Sequence, residues 1–279
     1  MSASVRGKVA LITGGASGIG AALATKMADL GSDVWIADRQ ADVAEELAAT
    51  LRAGGASAHA IELDVRDFAA FEAAVDRVVQ TSGALDYLFN NAGIGIGGEI
   101  DSFTIDDWNT IIDVNLRGVV NGIQAAYPVM IRQGRGHIVN TASLAGLITM
   151  TAQAGYSATK HAVVALSNTL RLEAQRHGVQ VSVLCPGVVR TPILAGGKYG
   201  YNTTASPQDM AALGEKLRPI SPEAFADKSL RAVLRGDALI VVPRWWKALW
   251  YLERLSPALS MRIARESLKR TRAVTQVRP

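Results

Sequence analysis

Gly155-Tyr156-Ser157-Ala158-Thr159-Lys160 opens a long apolar-periodic segment that runs to about His177. A helix there sets Tyr156 and Lys160 four residues apart on one face. An ammonium beside a phenol favours the phenolate. It lowers a pKa that is about 10 when unperturbed and brings the Tyr toward proton transfer near neutral pH. Tyr and Lys at helical spacing also occur on ordinary solvated faces, so the pair gains meaning only from its surroundings.

The first of those surroundings is an anion site. Val9 to Thr13 is a short β-rich run, followed by Gly14-Gly15-Ala16-Ser17-Gly18-Ile19-Gly20 and a helical pattern through Leu23, Met27 and Leu30. Glycines between a strand and a helix start let the backbone approach a pyrophosphate, while the helix N-terminus offers free N–H groups and the positive end of its dipole. The next strand pattern, Asp33 to Ala37, ends at Asp38. An acidic residue about twenty residues past such a turn can accept hydrogen bonds from ribose hydroxyls and repels a 2′-phosphate, which favours NAD over NADP. Arg39 leaves NADP open, because a guanidinium at the same strand end can stack on adenine or pair with a phosphate.

Strand and helix patterns then alternate. Ala41 to Ala53 reads as a helix, Ala58 to Leu63 as a strand ending in Asp64-Val65, Phe68 to Gln80 as a helix, and Leu85 to Phe89 as a strand followed by Asn90-Asn91-Ala92-Gly93. The segment from Thr104 to Arg132 carries Asn115 between Val114 and Leu116, a polar residue that needs a hydrogen-bonding reason if buried. Strand Gly136 to Thr141 delivers Ser143, and strand Gln180 to Leu184 leads to Cys185-Pro186-Gly187 and Val188 to Thr191. Ala238 to Val242 reads as a last strand. This succession predicts an α/β fold, a doubly wound parallel sheet whose ligands lie beyond the carboxyl ends of the strands. Asp38, Asp64 and Asn90 then line one rim.

Composition narrows the remaining classes. Cys185 is the only cysteine, so no disulfide framework exists, and His59, His137, His161 and His177 lack metal-ligand spacing. A reducing, cytoplasmic location is the expectation, with neither a signal-peptide pattern nor an apolar run of membrane-spanning length. Residues through Val242 hold 20 Lys+Arg against 23 Asp+Glu, a net of −3, whereas Pro243 to Pro279 holds 9 against 2, a net of +7. The basic character therefore belongs to the tail.

From Gly7 to Val242 the chain resembles a short-chain dehydrogenase/reductase. The likeness rests on Thr13-Gly14-Gly15-Ala16-Ser17-Gly18-Ile19-Gly20, Asp64, Asn90-Asn91-Ala92-Gly93, Asn115, Ser143, Tyr156 with Lys160, and Pro186-Gly187 with Thr191. The resemblance implies a single Rossmann-type domain over residues 1–243 with a seven-stranded parallel sheet and a lid at about 188–222. Beyond the family pattern, residues 244–279 are expected to form a basic, aromatic helical extension. It implies Tyr156 as general acid/base, Lys160 as the residue that tunes it and binds the nicotinamide ribose, Ser143 on the substrate oxygen, and Asn115 in a proton relay. Cofactor contacts are implied at Gly14, Ser17, Gly18, Ile19, Gly20, Asp38, Arg39, Asp64, Val65, Asn91, Ala92, Gly93, Tyr156, Lys160, Pro186, Gly187, Val189 and Thr191, with no metal. The implied reaction interconverts a secondary alcohol and a ketone with NAD, or alternatively NADP, and the implied assembly is a homodimer or homotetramer. A cofactor-binding scaffold without turnover is the competing reading. Tyr199, Tyr201, Met210 and Leu213 are candidates for an apolar substrate wall.

The tail is a separate problem. Arg244-Trp245-Trp246-Lys247-Ala248-Leu249-Trp250-Tyr251-Leu252 gathers three of the five tryptophans among basic residues, and Pro257 divides two helical patterns. Such a segment can cap the substrate mouth, bury its tryptophans between subunits, or lie on an anionic membrane surface. Nucleic-acid binding is disfavoured, because no recognition motif accompanies the charge.

Overall fold

The computed structural model describes residues 5–195 and 214–275. Strand β1 (Val9–Thr13) leads through the glycine turn into α1 (Gly18–Asp29), then β2 (Asp33–Asp38), α2 (Ala41–Ala53), β3 (Ser57–Glu62) and α3 (Phe68–Ser82). The chain crosses back over β1 to form β4 (Tyr87–Asn90), α4 (Ile105–Ile112), α5 (Gly118–Gln133), β5 (Gly136–Thr141) and α6 (Ala154–Ala174). Strand β6 (Val179–Pro186), α7 (Pro222–Leu234) and β7 (Leu239–Val242) complete the sheet, and α8 (Lys247–Leu255) and α9 (Pro257–Thr275) follow it. All pairings are parallel, in the order β3-β2-β1-β4-β5-β6-β7. The direction of winding reverses between β1 and β4, which opens a crevice beyond their carboxyl ends.

Both faces of the sheet are covered, so the central strands β1 and β4 are buried throughout. Successive residues serve opposite cores: Leu11, Leu88 and Ile138 pack with Phe71 and Val163 on one face, and Ile12, Phe89 and Val139 with Met27 and Phe225 on the other.

Two features that place the site were not visible in the sequence. The patterned segment from Thr104 to Arg132 is two helices joined by a π turn at Asp113–Arg117, which holds Asn115 fully inside. One extra residue per turn at that point rotates a polar side chain inward. The second is a buried chain of amides. Asn90 Nδ2 donates to Asn140 Oδ1 at 2.9 Å, Asn140 Nδ2 donates to Ser167 Oγ at 3.0 Å, and Ser167 Oγ donates to Val163 O at 2.6 Å. Each partner is satisfied, so the chain locks β4, β5 and α6 in register without an orphaned polar group.

Helix α5 crosses the end of β4 at Gly122, where an added Cβ would lie 2.1 Å from Asn90 Oδ1 and 2.8 Å from Phe71 Cζ. Gly122→Ala therefore loses stability by about 1–3 kcal/mol through overpacking, against a helix-propensity gain of about 1 kcal/mol. Urea unfolding of the variant at or above the wild-type midpoint would contradict this packing.

Candidate active site

The crevice is one cavity of about 2430 Å³, large for a single small ligand. Of the expected catalytic and cofactor-contact residues, all line it except Gly20 and Asn115. Asn90, expected on the same rim, is buried beneath it, its amide turned to Asn140. Gly20 lies beneath the turn, where an added Cβ would be 2.0 Å from Gly14 O.

At one end the glycine turn meets the start of α1. Gly14 and Gly18 have φ of +61° and +53°, and a Cβ on Gly14 would approach Ala92 Cα to 2.8 Å, so side chains are excluded on both conformational and steric grounds. Ser17 stands at the N-cap in extended conformation with no side-chain cap bond, and with Gly18 and Ile19 it lines the cavity, so the start of α1 is open to it. Thr13 fixes the opposite wall. Its Oγ1 accepts from the Asn91 and Ala92 N–H groups at 3.0 and 3.1 Å, and Asn91 Nδ2 donates back to Thr13 O at 3.1 Å.

Asp38 is buried at the end of β2, its carboxylate accepting from Ala16 N–H at 3.1 Å and Gln40 N–H at 3.0 Å. It thus braces the glycine turn and still lines the cavity. Arg39 is exposed beside it. Asp64 is held by Arg66, whose Nε donates to it at 2.9 Å, and this hydrogen bond keeps the carboxyl below its ordinary range despite partial burial. The backbone positions Gly93, Val65, Pro186, Val189 and Thr191 complete the lining.

At the other end α6 presents Tyr156 and Lys160 together. Lys160 Nζ is 5.6 Å from the Tyr156 ring centroid and donates to Thr141 O at 2.9 Å. Lys160 is 2% exposed, and that burial pushes its pKa down from 10.5 to about 8. Ser143, two residues beyond β5, is buried with its Oγ accepting from Ala145 N–H at 3.1 Å. Asn115 lies behind this group. Its Oδ1 accepts from Ile94 N–H at 2.8 Å and its Nδ2 donates to Ile94 O at 2.9 Å, so its amide holds the Gly93–Ile94 loop and does not line the cavity. A Cβ on Gly93 would sit 3.3 Å from both Asn115 Oδ1 and Lys160 Nζ. Cys185, also fully buried, has its thiol pushed up to about 12 by desolvation and is inert.

The tail completes the wall. Trp246 is buried against Gly187, where an added Cβ would come within 2.2 Å of its Nε1, and Trp245 stacks on it with centroids 3.9 Å apart. Leu249, Leu252 and Ile263 also line the cavity. Two polar ties fasten the helices there: Thr149 Oγ1 donates to Glu253 at 2.9 Å, and Arg272 Nε donates to Glu99 at 2.7 Å. Neither tie could be read from the sequence, since each joins residues more than a hundred positions apart. The flanks of the expected lid are joined by a Val189–Ile220 bridge and an Arg190–Glu215 ion pair at 2.9 Å. Tyr199, Tyr201, Met210 and Leu213 lie outside the described residues.

A seven-stranded parallel sheet with a glycine cradle, an open helix N-terminus and an acidic β2 end defines a dinucleotide-binding fold. The family model described as short chain dehydrogenase matches residues 8–198, and the chain belongs to that family. It is 41% identical over 195 residues to 2,5-dichloro-2,5-cyclohexadiene-1,4-diol dehydrogenase LinX of Sphingobium indicum, covering 70% of this chain and 78% of that one. It is 38% identical over 222 residues to the 3-alpha-(or 20-beta)-hydroxysteroid dehydrogenase of Mycobacterium bovis, covering 79% and 81%. Among solved structures, a short chain dehydrogenase/reductase of Burkholderia phymatum in complex with NAD superposes with a TM-score of 0.82 at 32% identity, covering 92% of this chain and 96% of that one.

Proposed function

We propose that the protein interconverts a hydrophobic secondary alcohol and its ketone by NAD-dependent hydride transfer. The observation that carries this reading is the Tyr156–Lys160 pair, with a buried ammonium 5.6 Å from the phenol ring, sharing one cavity with Ser143 and the glycine cradle. The cradle fits a dinucleotide, because side chains are excluded at Gly14 and the uncapped start of α1 faces the cavity. A bound nicotinamide supplies the acceptor or donor of the hydride.

The chain's own residues handle the oxygen and its proton. Ser143 Oγ orients the substrate oxygen and shares its developing charge. The Tyr156 hydroxyl gives its proton to a carbonyl oxygen in reduction, or takes one from an alcohol in oxidation. Lys160 stabilises the phenolate that remains, and Thr141 O fixes the ammonium in place. Asn115 positions the Gly93–Ile94 loop beside that ammonium. Ile96, Ile148, Trp246 and Leu249 surround the rest of the substrate with apolar wall, which suits a cyclic body, and both relatives' names specify dehydrogenation of ring-bearing alcohols. We place the protein among homo-oligomers of its family in a reducing compartment.

Secondary alcohols and ketones of graded ring size, assayed with both cofactors, test the reading. Turnover on cyclic substrates is expected, and its absence across the panel would favour a silent cofactor-binding scaffold. Asp38 sets the cofactor preference. Asp38→Ala should lower the NAD-to-NADP ratio of kcat/KM by about tenfold or more, since the variant loses both the ribose acceptor and the repulsion of a 2′-phosphate. A wild-type enzyme faster and tighter with NADP would sink this assignment and shift it to Arg39.

A further inference from the structure

The two C-terminal helices turn outward a face that no other part of the described fold covers. On α8, Tyr251 and Leu255 lie one turn apart; Leu255 is 84% exposed, and Tyr251, with Leu259 and Ile263 one turn apart past the Pro257 corner, is about half exposed. Isolated apolar side chains on a surface need no explanation, but four large ones at helical spacing around one corner mark a contact. Arg254, Arg262 and Arg265 are interleaved with them, all exposed. Two acids accompany this charge, Glu253, held by Thr149 and Ser260, and Glu266, which pairs with Lys269 at 2.8 Å and is also attracted by Arg265 and Arg270, and they are too few to offset it. The net over residues 243–279 is +7.

We infer that this α8–α9 face docks on an anionic lipid bilayer. Apolar and aromatic side chains flanked by arginines match the boundary between acyl chains and negative headgroups. No helix among the described residues is long and apolar enough to cross a membrane, so the helices lie in the plane of the surface. A second copy is a poorer occupant, because a two-fold contact through this face sets Arg254 and Arg265 against their own equivalents or near-equivalents. Arg262 and Ile263 belong both to this face and to the lining of the cavity, so the mouth opens at the bilayer surface. That last consequence rests on the proposed function; the docking does not.

Flotation of the full chain with vesicles tests it without reference to turnover. The protein is expected to float with phosphatidylcholine vesicles containing about 30 mol % phosphatidylglycerol and to stay behind with phosphatidylcholine alone. High salt should weaken the binding. The double variants Leu255→Asp/Leu259→Asp and Arg254→Glu/Arg265→Glu should each lower partitioning by about tenfold or more, with circular dichroism and melting unchanged. None of these four residues lines the cavity. The inference is overturned if the wild type fails to float with anionic vesicles, or if both variants float like the wild type. It is also overturned if the face proves to be a subunit contact, shown by a dimer that Leu255→Asp/Leu259→Asp dissociates while the wild type ignores vesicles.

Discussion

Tyr156→Phe should lower kcat by about 10²–10⁴-fold while leaving cofactor affinity within about threefold of the wild type. The substitution keeps the ring and its place beside Lys160 and removes only the hydroxyl that trades the proton. A phenyl ring leaves the glycine cradle, Asp38 and the uncapped helix start intact. Binding and chemistry therefore separate. Stopped-flow or steady-state turnover paired with cofactor titration reads both, and a variant with unaltered turnover would remove Tyr156 from the mechanism. Loss of cofactor binding as large as the loss of turnover would instead mean that the phenol serves chiefly to build the cradle.

Lys160→Met should yield a protein that is inactive yet more stable at neutral pH. Burial lowers the Lys160 pKa from 10.5 to about 8, which at 1.36 kcal/mol per unit is a charging cost on the order of 3 kcal/mol. The sign follows from proton counting. Below pH 8 the lysine is charged in folded and unfolded chains alike, and the whole cost is present. From pH 8 to 10.5 the unfolded chain keeps a proton that the folded one has lost, so stability rises with pH until the cost is gone. Methionine removes the cost at every pH but leaves Thr141 O without its donor, a loss of about 1–2 kcal/mol. The net gain at pH 7 is therefore about 1–2 kcal/mol, a few degrees in Tm for a chain of this size. It should shrink and then reverse across the alkaline range. Thermal melts of both proteins from pH 7 to 10 check this, and a methionine variant that melts lower by a pH-independent margin would show that the charge is compensated.

The sequence conveyed the site better than the architecture behind it. Gly14, Asp38, Ser143 and Pro186 carry their chemistry in residue type, and each stands at or near the end of a strand whose β-rich pattern is local, whereas Tyr156 stands in the first turn of α6. Parallel winding then brings all the carboxyl ends to one rim, so the cavity follows from order alone. Asn140 and Ser167 were missed because a polar residue within an apolar strand or helix declares nothing until its partner, on another element, is known. The π turn at Asp113–Arg117 was missed for a similar reason: it breaks a continuous helical pattern only so that Asn115 can reach Ile94. The tail's aromatic and basic character was plain, but its attachment through Thr149 and Glu99 depends on contacts spanning more than a hundred residues.

Trp246 against Gly187, with Trp245 stacked on it, has an optical consequence. Reduced nicotinamides absorb where indoles emit, and this pair lines the same cavity as Pro186, Gly187 and Tyr156. Energy transfer from these indoles would report the redox state of whatever nucleotide occupies the cavity, giving the protein an intrinsic fluorescent sensor of its own turnover.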